Sequence, residues 1–259
     1  MLNERVDERG VAWLTLARPE VHNAFDDSLI QRMTEALARL QADGRVKALV
    51  LGAEGKSFSA GADLGWMKRT AGYSQAENQA DAERLAALMS ALDRFAKPTI
   101  ARVQGAAYGG GVGLVACCDI AIGTPAARFM LSEVRLGLVP GAISPYVLRA
   151  IGQRAARRYF LTAERFDAAE AFRLGLLHAL VEEEAALDSA VESCLGQLLQ
   201  AGPEALSAAK DLIFAIDRPL DAAVMADTAR RIAERRASAE GQEGIAAFLE
   251  KRQPAWRPA

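Results

Sequence analysis

The order of this sequence predicts an α/β fold built on parallel strands, followed by a helical C-terminal region. Two observations carry the α/β part. Short, β-rich apolar runs alternate with longer stretches of helical periodicity between Val11 and Ile122. The run Val46–Leu51 is apolar except at Lys47, as expected of a strand covered on both faces. The third observation is a change of kind. From Ala185 onward apolar residues recur only at helical spacing, and Gly202-Pro203 is the strongest break. Residues 1–200 are therefore expected to form the core and residues 201–259 a helical appendage.

Taken in order, Val11–Leu16 reads as a strand that stops at Arg18-Pro19, because the residue before a proline is pushed out of helical geometry. Glu20–Phe25 is a loop. Asp26 or Asp27 can cap the helix that follows, whose apolar face is Leu29, Ile30, Met33, Leu37 and Leu40. After the strand at Val46–Leu51, Phe58-Ser-Ala-Gly-Ala-Asp-Leu64 is a turn of small residues opening a short helix. A longer helix spans roughly Gln75 to Ala96 and is closed by Pro98. Strand Thr99–Val103 leads into a glycine cluster, a helix, and a strand around Asp119–Ile122. The C-terminal helices are expected near Ala185–Gln200, Glu204–Phe214, Leu220–Ser238 and Gly241–Arg252.

Composition narrows the function classes. The 259 residues are 51% apolar with a net charge of −2, which gives no basic footprint for nucleic acid. The apolar stretch Val103–Val115 is broken by glycines and a glutamine, and no run reaches membrane-spanning length. Met1-Leu-Asn-Glu-Arg5 lacks the basic-then-apolar order of a signal peptide. Cys117, Cys118 and Cys194 are odd in number, and buried free thiols in a reducing compartment are the expectation. A cytoplasmic enzyme fits these features.

The chemistry-bearing stretch runs from Gly105 to Pro140. Gly109-Gly110-Gly111 precedes an apolar helical run, so free amide donors at the helix start would face whatever approaches the bare backbone. A dinucleotide loop asks for an acid on the next strand and a P-loop for Gly-Lys-Ser/Thr, and neither is met. The turn at Phe58–Leu64 offers a second set of amides, and two such turns could converge on one oxygen. Glu133 lies among Phe129, Met130, Leu131 and Val134. It reads either as a surface acid paired with Arg135 or as a desolvated acid/base whose pKa is moved toward working pH.

Phe58-Ser-Ala-Gly-Ala-Asp-Leu64, the run from Gly105 to Cys118-Asp119-Ile120, Ser132-Glu-Val-Arg-Leu-Gly-Leu-Val-Pro-Gly141 and the tail Gly244–Arg252 together resemble the enoyl-CoA hydratase/isomerase (crotonase) family. The resemblance spans nearly the whole chain in order. It implies a spiral of repeated ββα units with a C-terminal helical trimerisation region, assembled as a homotrimer or homohexamer. It also implies an acyl-CoA thioester substrate, with coenzyme A carried by the substrate and no tightly bound cofactor. By the match, the amides of Ala62 and Gly110 form an oxyanion hole and Glu133 is the acid/base. Val21, Ala24, Ala60, Ala62, Asp63 and Leu64 would line the CoA path, mainly through backbone. Phe248 and Lys251 match residues that reach a CoA in a neighbouring subunit; Lys251 also reads as a solvated helix-end cation. Trp66 and Met67 would wall the acyl pocket or belong to the core.

One departure bears on the reaction. Gly113 stands where hydratases of the family commonly carry a first glutamate, and the isomerases of the family keep only the second. Yet Gly113–Asp119, Leu131–Leu138 and Ile143-Ser-Pro145 resemble a bacterial branch of methylglutaconyl-CoA and carboxygeranoyl-CoA hydratases. Hydration of a branched or carboxylated 2-enoyl-CoA, double-bond isomerisation through Glu133, and catalytically idle acyl-CoA binding are the readings, and a glutamate restored at position 113 would probe them. His22 and His178 have no companions suited to a metal site, and Asp119 reads as structural. No G-x-S-x-G elbow suggests a serine hydrolase.

Overall fold

A computed structural model describes residues 1–257; Pro258 and Ala259, the end of the expected appendage, lie outside the described residues. The chain opens with β1 (Leu2–Val6), β2 (Val11–Leu16) and α1 (Asp27–Ala42), then β3 (Ala48–Ala53), β4 (Ser57–Ser59), α2 (Leu64–Thr70) and α3 (Gln75–Asp93). Next come β5 (Thr99–Val103), β6 (Ala106–Tyr108), α4 (Gly110–Cys117), β7 (Ile120–Gly123), β8 (Arg128–Met130) and a 3-10 turn at Glu133–Leu136. The rest is α5 (Ser144–Thr162), β9 (Phe166–Asp167), α6 (Ala168–Leu174), β10 (Ala179–Leu180), α7 (Leu187–Leu198), α8 (Pro203–Ile216), α9 (Ala222–Ala237) and α10 (Ala239–Glu250).

Three times in succession a long strand is followed by a three-residue strand and then by helix: β3-β4-α2, β5-β6-α4 and β7-β8-α5. The first strands of these units sit in one sheet, ordered β1-β2-β3-β5-β7-β10, and the second strands in another, ordered β4-β6-β8-β9. Within each sheet the repeated strands run parallel, and β1 and β9 close the edges antiparallel. Each unit therefore steps one strand along both sheets, which gives the spiral.

The large sheet is buried on both faces, and its strands alternate which layer they feed. Leu14, Leu49, Leu51 and Ala101 join α1, α3 and α4 in the main core, whereas Val11, Ala48, Val50 and Ile100 meet Leu187, Val191 and Leu195 of α7. This is why Val46–Leu51 lacks the polar alternation of a one-sided strand. The strand itself begins later, at Ala48, because the Val46 amide bonds back to Asp43 and Arg45 is held on the Asp43 carboxylate. The helix expected to reach Ala96 ends at Asp93, where Phe95 turns into the core.

Local signals account for most helix starts. Asp26 caps α1 by accepting from the Leu29 amide, and Ser74 with Glu77 forms a capping box on α3. Asp119 is structural: it accepts from the Thr99 amide and hydroxyl, and Lys210 of α8 completes the cluster. That lysine fastens the C-terminal helices to the amino-terminal ends of the interior strands β5 and β7. No strand follows Ala185 among the described residues.

Candidate active site

The short strands of the small sheet aim their carboxyl ends at one place, where ligands of parallel sheets are expected. β4 leads to Ala60-Gly61-Ala62, β6 to Gly109-Gly110, and β8 to Ser132-Glu133. These segments line one cavity of about 500 Å³, together with Phe25 of the first loop, Trp66, Met67 and Thr70 of α2, Asn78, Asp81, Ala82 and Leu85 of α3, Leu136, and the stretch Leu138–Ile143.

The first glycine turn is locked by Phe25. Its amide donates to the Gly61 carbonyl at 2.6 Å, and its carbonyl accepts from the Asp63 amide at 2.7 Å, in a parallel bridge centred on Ala62. Since Gly61 and Asp63 spend their inward groups on Phe25, the intervening Ala62 amide points the other way, to the cavity side. The second turn closes against the first. Gly109 holds φ +50° and Gly61 φ +87°, conformations suited to glycine, and a Cβ on Gly61 would sit 3.0 Å from the Tyr108 carbonyl oxygen. Gly110 is the first residue of α4, so its N–H has no acceptor within the helix. A Cβ there would lie 2.9 Å from the Phe25 ring. Phe25 thus braces both turns, by backbone on one side and by its buried ring on the other.

Glu133 follows on the third strand. Its Oε1 would stand 3.3 Å from a Cβ on Gly109, and its buried Oε2 has no hydrogen-bond partner. Burial pushes its pKa above the usual glutamate value. The desolvation arises differently from the expectation. Phe129 and Leu131 point into the main core, and it is the cavity walls that surround the carboxyl. Glu133 makes no ion pair with Arg135 among the described residues. A half-buried carboxyl in the same cavity as two amides that face it can take up and return a proton next to an oxygen that is gaining charge.

Gly113 has a structural reason. A Cβ at this position would lie 2.3 Å from Ile143 Cγ2 and 3.2 Å from Met89 Sδ. The volume of a side chain is already filled, so restoring a glutamate there is corrected from a probe of catalysis to an overpacking change.

The residues expected along the CoA path divide. Ala60 lines the cavity, and its amide donates to the His22 carbonyl. Val21 and Ala24 lie in the loop behind it, and the Ala24 carbonyl accepts from Arg18. Asp63 caps α2 through the Gly65 and Trp66 amides and receives Arg18 at 3.1 Å. Burial raises its pKa, but these amides and the guanidinium outweigh burial and hold it below the usual carboxylate range. Leu64 is exposed and lines no part of this cavity. Phe248, 82% exposed, and Lys251, at the left-handed end of α10, border a separate surface cavity of about 570 Å³ with Trp256 and Arg252. Within one chain they do not meet Glu133.

Trp66 serves both expected purposes, being in the main core and on the cavity wall. Sequence reasoning missed Phe25, Arg18 and the polar group Thr70, Asn78 and Asp81. Phe25 acts through backbone pairing and ring packing, for which sequence carries no pattern. Asn78 and Asp81 are three residues apart on α3, a spacing that could have placed them on one face. His22 contacts Ser57, and His178 Nδ1 accepts from the Ala121 amide. No cluster suited to a metal occurs among the described residues. Cys117 and Cys118 are buried and unpaired, and burial pushes the Cys118 thiol up to about 12.

Comparison with known proteins agrees with this geometry. Residues 7–258 match the family profile described as enoyl-CoA hydratase/isomerase. An enoyl-CoA hydratase structure from Shewanella pealeana superposes with a TM-score of 0.95 at 48% identity, covering 98% of this chain and 95% of that one. A Mycobacterium smegmatis enoyl-CoA hydratase structure gives 0.92 at 34% identity, covering 98% of each chain. The crotonyl-CoA hydratase of Syntrophomonas wolfei is 33% identical over 252 residues, 95% of this chain and 94% of that protein.

Proposed function

The chain belongs to the enoyl-CoA hydratase/isomerase family, and we propose that it adds water to, or removes it from, a 2-enoyl-CoA thioester. The observation that carries the reading is the convergence of the Ala62 and Gly110 turns with the partnerless carboxyl of Glu133 in one cavity. Ionised Glu133 takes a proton from water as the water oxygen bonds to C3. The electrons of the double bond move onto the thioester oxygen, where the two amides hold the enolate. Glu133 then returns its proton to C2. One such amide is worth about 3–4 kcal/mol of barrier.

The acyl group proposed is a branched or carboxylated one, of the methylglutaconyl-CoA kind. Supporting a branched group is the apolar wall of Trp66, Leu85, Leu138 and Ile143. Residues 201–259 are proposed as the oligomerisation region of a homotrimer or homohexamer. Ile213, Leu220, Phe248 and Leu249 are exposed there, an apolar surface that a second subunit would cover, bringing Phe248 and Lys251 to a neighbour's CoA. A cytoplasmic location is proposed from the unpaired cysteines.

Isomerisation is the second reading, favoured by the filled space at Gly113, which leaves Glu133 without a first-glutamate partner. Incubation with crotonyl-CoA, 3-methylcrotonyl-type and 3-enoyl-CoA esters, followed through the conjugated-thioester absorbance and product mass, separates the two. Isomerisation with no hydration of any 2-enoyl ester would remove the leading reading. Binding with no turnover would make the protein an acyl-CoA binder.

A further inference from the structure

The cavity changes character along α3. Leu85 and Ala82 are apolar, whereas Asp81 and Asn78 are polar, and Met89 beneath Gly113 lies in the core beyond the cavity. Asp81 stands about 12 Å along the helix from Met89, eight residues at the helical rise. Across from it, Trp66 lies one turn into α2 from the Ala62 amide.

Asp81 is 7% exposed yet borders the cavity. Its Oδ1 accepts from Trp66 Nε1 at 3.4 Å and from the Arg84 guanidinium at 2.6 Å. Arg84 is half exposed and uses one of its five N–H donors in this contact. The indole that walls the acyl pocket is therefore tied to a charged pair, and neither oxyanion turn requires that pair. A hydrocarbon chain reaching this point would strip the remaining water from Asp81 and give nothing back, a cost that a buried charge bears poorly. A chain that ends before it rests on Leu85 and Trp66 alone.

We infer that Asp81, held by Trp66 and Arg84, is the specificity-determining residue of the acyl pocket, and that it selects short 2-enoyl-CoA thioesters against long hydrocarbon ones. This rests on the proposed hydration reaction. It narrows the acyl group, whereas the oxyanion turns concern only the thioester.

The test is kcat/KM for crotonyl-CoA and 2-octenoyl-CoA in the wild type, Asp81→Asn, Asp81→Leu and Trp66→Phe. The wild type is expected to use octenoyl-CoA at least about tenfold less well than crotonyl-CoA, a discrimination within the range of pocket contacts. Asp81→Leu raises the octenoyl-to-crotonyl ratio about tenfold. Asp81→Asn, isosteric and uncharged, moves the ratio the same way by less, and serves if the leucine variant does not fold. Trp66→Phe, which removes the indole donor, shifts the octenoyl ratio upward by a smaller factor. Equal use of octenoyl- and crotonyl-CoA by the wild type, or ratios unmoved in both Asp81 variants, would overturn the inference. Absence of turnover on every ester by the wild type would instead overturn the reaction on which it rests.

Discussion

At one end of the cavity the polar groups are the backbone amides of Ala62 and Gly110; at the other they are the side chains of Thr70, Asn78 and Asp81. The amides are fixed by the Phe25 bridge, by glycines at positive φ, and by ring-to-backbone contact. The side chains stand on α2 and α3, joined to one another there by the Trp66–Asp81 hydrogen bond. A backbone donor cannot be exchanged by point substitution without disturbing the chain, whereas a side-chain reader can. Chemistry common to all thioesters suits the first construction, and discrimination among acyl groups suits the second.

Substitutions should separate the two ends. The largest effect is expected for Glu133→Gln, which removes the proposed proton carrier and lowers kcat by roughly 10²–10⁴-fold with little change in KM, measured with crotonyl-CoA. Ala62→Pro deletes one proposed oxyanion donor and should cost about 10²–10³-fold in kcat, provided circular dichroism shows the fold retained. A comparable rise in KM with kcat unchanged would instead mean that the amide binds ground state and transition state alike. Gly113→Glu should lower stability by about 1–3 kcal/mol through overpacking against Ile143, read as a fall in Tm, with no gain in hydration.

The smallest expected effect is on pH dependence. Water activation needs Glu133 ionised, so kcat/KM should rise with pH through a midpoint above the ordinary glutamate value, as its burial requires. The linkage to stability has the opposite sense. A carboxyl whose folded pKa is raised contributes stability that is present below its unfolded pKa and lost as pH rises through the folded one. An acid limb at or below the ordinary value would place the essential carboxylate elsewhere.

Much of this was legible in the residues. The two-faced strands, the caps at Asp26 and Ser74, and the break at Gly202-Pro203 are local signals, and the helices follow them. The pair of glycine turns was visible as composition, and their convergence was an expectation about two distant segments. The strands β4, β6 and β8 were not legible, because three residues cannot show a period of two, yet they aim all three turns. Phe25 was hidden for a related reason, since what it supplies is backbone pairing and bulk against a glycine. Gly113 was read as a missing acid. Its filled volume depends on Ile143, thirty residues away, and on Met89 of α3. Asp81 matters only because α3 returns past the end of α2, which no single segment encodes.

The most direct test of the proposed chemistry is incubation of crotonyl-CoA with the wild-type protein in D2O, followed by mass spectrometry of the thioester. Hydration by Glu133 predicts a product heavier by one water that retains a single non-exchangeable deuterium at C2, and its loss in Glu133→Gln. A thioester that gains deuterium without gaining water, or a product unchanged in the Glu133→Gln variant, would contradict it.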